Sequence, residues 1–585
     1  MKKNIILSTI SIILFSFIFN SNTFANEEYM RAMREELRRN IADLKVDKLQ
    51  KPYFIEYTLT LHRSYSVKAT LGSLTESDSS YSAKITVSIR VGDYKFDNSN
   101  FFDFGMSFFG SGDDEELFKN RAVPYELDYK TLRRELWLAT DAAYKQVAES
   151  FSKKESALKN RIVRDTTQDF MKINSDKSTD TYALAPFACS QVEPIIKKIS
   201  AVFADYPEVN VSSCGFEYIP QKIYYVNSEG AEYIKNDVFT GIEYVASTQS
   251  SDGLPVSDFY TFYSKLTNQL PSQDSLVQAA KNLAENIKLM KNASRLDESY
   301  SGPVIFEGQA AAESFAQLFA PNLITQRQQM TENGMSETER NMAFQSKIGG
   351  RVLPEFLSVS DKPSLENYNR TILIGNYFID DDGLKPSDVT LVENGFLKSL
   401  LSERIPTKRV HYDNGHKRGG AAMFSNILLN SDETHKLSAK DIREKMMKLC
   451  KDRELPYGIV VKRVINQNVL FTSLLKILAN NFSFFNMENK LLLTQAFKVF
   501  PDGHEEPIVG LIANGMNAQS FKDILFVSNS NYALNLLASS VISPYITGGL
   551  HYIASSVICP DILFEDLEIK SIEDNFPKPP ILARP

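Results

Sequence analysis

Two stretches of alternating residues set the first constraint on the fold of this chain. In Tyr53-Phe54-Ile55-Glu56-Tyr57-Thr58-Leu59-Thr60-Leu61 and in Tyr81-Ser82-Ala83-Lys84-Ile85-Thr86-Val87-Ser88-Ile89-Arg90-Val91, apolar and polar side chains take turns. Successive side chains on a strand point to opposite faces, so each stretch is predicted as a half-buried strand with one face on a core and one toward water. From Tyr129 to about Arg161 the period changes: Leu132, Leu136, Ala139, Ala143, Val147 and Phe151 recur at three- and four-residue steps. That spacing puts a single apolar stripe on a long helix. A second stripe, Leu276, Ala280, Leu283, Ile287 and Met290, follows Pro271-Ser272-Gln273-Asp274, with Asp274 or Ser275 as the expected N-cap. Between the helices, Lys222 to Val226 is expected as a strand running into the turn Asn227-Ser228-Glu229-Gly230.

With 585 residues, 43% of them apolar, the chain is long enough for two to four domains around a sizeable core. The net charge is -7 and no Lys/Arg block recurs, so the electrostatic footprint of nucleic-acid binding is missing. The N-terminus has the three-part layout of a secretory signal peptide: Lys2-Lys3, an apolar run from Ile5 to Phe19, and the small-residue end Thr23-Phe24-Ala25. The apolar run is short for a membrane span, and no Cys near residue 25 offers a lipid attachment point. The expectation is export to the periplasm or medium of a bacterium, without a stable membrane anchor. A charged helix is expected over Glu27 to Leu44. Only Cys189, Cys214, Cys450 and Cys559 occur. An oxidising compartment permits a bridge between Cys189 and Cys214, and buried free thiols remain the alternative.

The segment Ser301-Gly302-Pro303-Val304-Ile305-Phe306-Glu307-Gly308-Gln309-Ala310-Ala311-Ala312-Glu313-Ser314-Phe315 resembles the TldD/PmbA family. Active members of that family carry His-Glu-x-x-x-His after a similar apolar Gly-Pro-Val strand. Laid on that pattern, Phe306 and Ala311 stand in the two histidine places and Glu307 in that of the general base. The family also takes a distal Cys as a third zinc ligand. The corresponding stretch here, Gly458 to Gln467, has none; Cys450 precedes it and Cys559 lies far beyond. The resemblance continues in Asn227-Ser228-Glu229-Gly230, in Tyr377 to Gly383, in Leu391 to Leu397, in Pro507 to Gly510 and in Cys559 to Glu565.

A zinc hydrolase needs about three protein ligands and an open position to bring its water to a pKa near ~7, against roughly 15.7 for bulk water. Neither Phe nor Ala donates a lone pair. Glu307 is therefore expected either to cap the following helix or favour its N-terminal dipole, or to act as a base without the usual metal.

Other constellations are weaker. Asp380-Asp381-Asp382-Gly383 lacks the ligand alternation of an EF-hand and is expected as a charged turn between strands. His411, Asp413 and His416 form the densest set of transition-metal donors, a fallback site at which Asn414-Gly415 signals a turn and Lys417-Arg418 opposes a cation. In family terms Lys417, Arg418, Gly419 and Gly420 belong to a glycine-rich loop expected to face substrate. Gly110-Ser111-Gly112-Asp113-Asp114 is expected as an exposed loop, without the Gly-Lys-Ser/Thr ending of a phosphate-binding loop. No Gly-x-Ser-x-Gly elbow is present, and His504 is expected in an exposed turn.

The expected fold is α+β. Residues 1–25 form the signal peptide. Residues 26–297 form an N-terminal region with strands at about 50–100 and long helices at about 129–161 and 274–292. Residues 298–575 form a β-rich C-terminal domain of the TldD/PmbA kind, and 576–585 a tail. The resemblance implies a peptide-binding cleft and pairing with itself or a related subunit. The expected function is a degenerate, non-catalytic peptide-binding subunit with no cofactor, whose partner is a peptide or unfolded segment; the alternative is an active peptidase using Glu307 with a relocated zinc site. Export makes the first prediction: mass spectrometry of the native protein finds Asn26 at its N-terminus. Recovery of an intact Met1 from cytoplasm overturns it.

Overall fold

The computed structural model describes residues 26–45, 50–102, 120–159, 166–174, 177–180, 186–331, 342–465, 491–539, 552–573 and 576. The expected signal peptide, the Gly110 to Asp114 loop and residues 577–585 lie outside the described residues. Among the described residues, no helix is long and apolar enough to cross a membrane.

The two alternating stretches lie in β1 (Pro52–Thr70) and β2 (Ser73–Val91), which pair antiparallel from Thr70↔Ser73 outward. Both strands run longer than the sequence pattern. The hairpin turns through Leu71 and Gly72, at φ +48° and +84°. Two successive positive φ values match the right-handed twist of the flanking strands, and glycine takes the second at no steric cost. The remaining strands are β3 (Asn120–Val123), β4 (Lys177–Thr179), β5 (Val211–Asn227), β6 (Glu232–Gln249) and β7 (Pro255–Ser264). They extend the sheet in the order β3-β2-β1-β5-β6-β4, with β7 also paired to β6. The expected turn between β5 and β6 is held by Asn227, whose Oδ1 accepts from the backbone N–H of Glu229 and of Ala231, each at 3.0 Å.

Helix α1 spans residues 26–43, and α2 (Tyr129–Lys159) buries the predicted stripe on one face of the sheet. There Leu132, Leu136, Ala139 and Phe151 join Tyr57, Leu59, Ile85 and Val87 in one core. On the sheet's other end, α3 (Glu193–Ala201) and α4 (Gln273–Lys291) cover Phe216, Ile242 and Tyr244 with Ile196, Leu276, Ala280, Leu283 and Ile287. The N-cap of α4 is Ser272, not Asp274 or Ser275: its side chain accepts from Ser275 N, while Asp274 sits in the first turn, where the helix dipole favours a negative charge. No disulfide forms. Cys189, Cys214, Cys450 and Cys559 are all free thiols.

The C-terminal half is a twelve-stranded sheet. Its members used below are β8 (Tyr300–Phe306), β9 (Leu357–Asp361), β10 (Val389–Glu393), β11 (Phe396–Leu397), β12 (Asn426–Ser431), β13 (Gly458–Val464), β14 (Leu491–Val499), β15 (Glu505–Ile508), β16 (Leu511–Asn514), β17 (Ile524–Ser539) and β18 (Tyr552–Ser571). Five of them close on themselves: β18 pairs β16, β16 pairs β14, β14 pairs β13, β13 pairs β8, and β8 returns to β18. The inner face carries Val304, Phe306, Val461, Leu511, Ile562 and Phe564. On the outer face Ile305, Val460 and Leu563 are covered by Ile442, Met446 and Cys450 of helix α5 (Ala439–Asp452). This is the α+β architecture expected.

Ion pairs join the halves at buried points: Arg463 to Asp258 at 2.8 Å, Arg404 to Glu229 at 2.7 Å and Lys235 to Asp381 at 2.9 Å. The second prediction concerns α2. Leu136 is fully buried and its neighbour Trp137 is 49% exposed, so Leu136→Ala should cost about 2–5 kcal/mol in chemical denaturation and Trp137→Ala less than about 1 kcal/mol. Equal costs would mean that the stripe is not the packed face.

Candidate functional site

Strand β8 is buried along nearly its whole length and ends at Phe306, which is fully buried with its ring edge-on to Phe564 at 5.6 Å. The chain then turns. Glu307 N donates to Val461 O at 2.9 Å, and Gly308, at φ +51°, donates its N–H to Asp561 Oδ1 at 2.7 Å. A short helix, Gln309–Ser314, follows and runs on into a single π turn over Phe315–Phe319. Ala311 is fully buried in that helix.

Glu307 does not cap this helix. The N-cap is Gly308, with no side-chain cap bond, and the carboxylate turns away toward α5. There its Oε1 accepts two hydrogen bonds from Arg443, from Nε at 3.0 Å and Nη2 at 2.8 Å. Arg443 is aimed this way because its neighbours Ile442 and Met446 seat α5 on Ile305 and Leu563. The guanidinium is shared: Arg443 Nη1 also pairs with Glu505 Oε1, and Lys462 Nζ donates to Glu505 Oε2 at 3.0 Å. Burial by itself would lower the Arg443 pKa, but the bond to Glu505 and the charge of Glu307 outweigh it and hold the group above its ordinary value. Arg443 is thus a permanent cation beside Glu307. No sequence signal pointed to it, since it lies on another helix far along the chain.

The donor set here does not fit zinc. Phe306 and Ala311 face apolar packing, Glu307 is engaged by Arg443, and among the described residues the one group of three or more His, Cys, Asp or Glu side chains close enough to share an ion lies elsewhere. The sequence also gave no warning of the polar side chains on the helix's other flank. Gln309 bonds Val464 through both ends of its amide, each at 3.0 Å. Gln317 Nε2 donates to Glu313 Oε1 at 2.8 Å and to Ile465 O at 2.7 Å. Single π turns often mark functional positions in helices, and this one carries Gln317.

Lys417-Arg418 and Ala421-Ala422 form a tight hairpin through Gly419 and Gly420, at φ +65° and +87°. Its charged groups are turned to the protein itself. Lys417 Nζ reaches Asp382 Oδ1 at 2.7 Å, Arg418 Nη2 reaches Ala554 O at 2.6 Å over the ring of Tyr377, and Gly419 N reaches Asp381 Oδ2 at 2.7 Å. The fallback triad does not assemble. His416 is fully buried with Nδ1 on Asn414 O and Nε2 at 3.5 Å from Asp361 Oδ1, and His411 is exposed. Asp413 instead groups with Asp380 and Asp382. The Asp380 to Gly383 turn exists, with Gly383 N bonded to Asp380 O at 3.3 Å. Within this turn Asp380 and Asp382 are fully buried. Burial, followed by the charge of Asp382, pushes the Asp380 carboxyl well above its ordinary value. His504 is exposed, as expected of its turn.

Residues 299–484 match the family model for the PmbA/TldA metallopeptidase C-terminal domain. No curated protein matches the chain. Among solved structures, TldE from Thermococcus kodakarensis is similar with a TM-score of 0.55 and 14% identity, over 92% of this chain and 100% of that one. A proposed modulator of a DNA gyrase from Thermotoga maritima gives 0.54 and 14%, over 92% and 99%. A proposed modulator of DNA gyrase from Bacteroides thetaiotaomicron gives 0.54 and 12%, over 94% and 99%. Residues 299–484 thus carry a domain of the PmbA/TldA type, and the chain as a whole shares the fold of these solved structures.

A double-mutant cycle tests the pair formed by Glu307 and Arg443. Glu307→Gln and Arg443→Met should each cost about 1–2 kcal/mol, with a coupling of at least ~0.5 kcal/mol by chemical denaturation. Strict additivity would mean that the two groups do not interact in solution.

Proposed function

We propose that this protein is an exported, non-catalytic TldD/PmbA-family subunit that binds a peptide or an unfolded protein segment, pairing with itself or with a related chain that keeps His-Glu-x-x-x-His. One observation supports the loss of catalysis: Glu307, which the family pattern puts at the base position, directs Oε1 of its carboxylate to Arg443. A general base must offer a free lone pair to the water it deprotonates and have a pKa near the working pH. The oxygen of Glu307 that accepts both guanidinium hydrogen bonds is turned to Arg443 rather than toward a water. No metal stands in to acidify the water, because the side chains in the histidine places have no lone pairs to ligate one. Peptide binding does not need that chemistry. Main-chain hydrogen bonds between an extended segment and a strand edge supply affinity with little side-chain specificity, and the family likeness supports a cleft for it in the C-terminal half.

Two measurements decide the matter together. Elemental analysis of protein purified without chelators should find far less than one zinc per chain; about one per chain overturns the degenerate site. Glu307→Gln should leave peptide affinity within about twofold. A reproducible peptidase activity of the wild-type protein that this change abolishes, with folding intact, would establish the active-peptidase alternative instead.

A further inference from the structure

A second, separate cluster lies where the Asp380 to Asp382 turn meets the loop from Glu403 to Lys417. Asp380, Asp382 and Asp413 each offer one carboxylate oxygen, and these oxygens all lie within 4.8 Å of one another. Asp380 and Asp382 share one turn, and folding brings Asp413 to them from a separate loop.

Their hydrogen bonding is incomplete. Asp380 is served by backbone donors: Asp382 N at 3.0 Å and Leu384 N at 2.8 Å on Oδ1, and Lys417 N at 3.3 Å on Oδ2. Asp382 Oδ1 accepts from Lys417 Nζ at 2.7 Å, and Asp413 Oδ1 from Gly415 N at 2.8 Å. Asp382 Oδ2 and Asp413 Oδ2 are buried with no hydrogen-bond partner. A fourth carboxyl, outside the trio, repeats the pattern. Glu403 is 4% exposed, makes no hydrogen bond or ion pair among the described residues, and lies in the fields of Lys417, Asp382 and Asp413.

Buried carboxylates are normally hydrogen-bonded or paired with a cation. Here the one ammonium bonded to the group, Lys417 Nζ, reaches only Asp382. Of the other nearby cations, Lys235 pairs with Asp381 and Arg90 with Asp97, while Arg404 bonds Glu229 and Met171 O and leaves its Nη1 without a hydrogen-bond partner. On the facing N-terminal sheet, Glu56 and the phenols of Tyr225 and Tyr233 add no positive charge.

We infer that Asp380, Asp382 and Asp413, with Glu403, form a binding site for a hard divalent cation of the calcium type. The donors are all carboxylate oxygens, the set that hard cations prefer and soft metals do not. Oxygens that all lie within 4.8 Å of one another can reach a common ion at bonds of about 2.4 Å, the calcium value. A bound ion takes up Asp382 Oδ2 and Asp413 Oδ2 and supplies the charge that Lys417 leaves unmatched. It also fastens the Asp380 to Asp382 turn to the loop from Glu403 to Lys417. That turn already holds the N-terminal sheet, through Lys235 to Asp381 Oδ1 and the Tyr233 hydroxyl to Asp381 O. The ion therefore stiffens the junction between the two halves.

The test uses the full chain stripped with EDTA and dialysed. Calcium chloride at millimolar concentration should raise the melting temperature saturably, and equilibrium dialysis should find about one calcium per chain, bound more tightly than magnesium. Asp413→Asn and Glu403→Gln each remove a like charge and leave the Lys417 to Asp382 pair intact. Both should melt no lower than the stripped wild type and bind calcium at least tenfold more weakly. The inference is overturned if stripped wild-type protein binds no calcium by dialysis, a readout that does not depend on any variant. It is equally overturned if both variants keep the full calcium response, which would place the ion elsewhere, or if magnesium binds more tightly than calcium.

Discussion

Closure of the C-terminal sheet by β18 is the constraint on which the rest of this half depends. Over its 20 residues the strand pairs with β17, β12, β8 and β16 in turn. Backbone amides and carbonyls that leave water need partners, and this strand finds them on both sides by changing neighbours along its length. A slip of one residue would exchange Ile562 and Phe564, which face the inner core, with Leu563, which faces α5. Both faces are apolar and buried, so the register is set by shape and by the pairing with β8 rather than by contact with water. Because β8 is locked between β13 and β18, the position of Glu307 at its end is locked as well.

That placement decides the chemistry. Helix α5 lies on the outer face of the closed ring through Ile442, Met446 and Cys450, and the same seating delivers Arg443 to Glu307. A buried or half-buried ion pair of this kind contributes modestly to stability, since desolvation offsets much of the attraction. It fixes the direction of the Glu307 carboxylate toward α5. The Asp380, Asp382 and Asp413 group shows the opposite imbalance, with more buried negative charge than the protein's own cations match. Two acidic centres on one fold thus have contrary needs: one is satisfied by an arginine, the other calls for an ion from outside.

Much of the architecture was legible in the residues. Periodicity found β1, β2, α2 and α4, because one-sided burial writes itself into the sequence as a period of two or of about 3.6. The resemblance of the segment from Ser301 found the domain that the family model matches, since an apolar strand running into a Gly turn and helix is a local pattern. The strand lengths were underestimated: half of β2, from Ser73 to Ser82, is exposed on both faces and leaves no apolar trace. The N-cap of α4 moved to Ser272, within the segment that the sequence had marked.

The site was legible only in part. The sequence by itself determined which side chains stand at the family's ligand places, because the loss of lone pairs at Phe306 and Ala311 is a matter of residue type and needs no coordinates. What those residues meet was decided by the tertiary structure alone. Arg443 comes to Glu307 from another helix, Asp413 leaves its sequence neighbours His411 and His416 for Asp380 and Asp382, and Lys417 turns inward to Asp382. Charge and hydrogen bonding act over a few ångströms in space, and the chain brings groups to that range through sheet closure and helix seating, which spacing along the sequence does not encode.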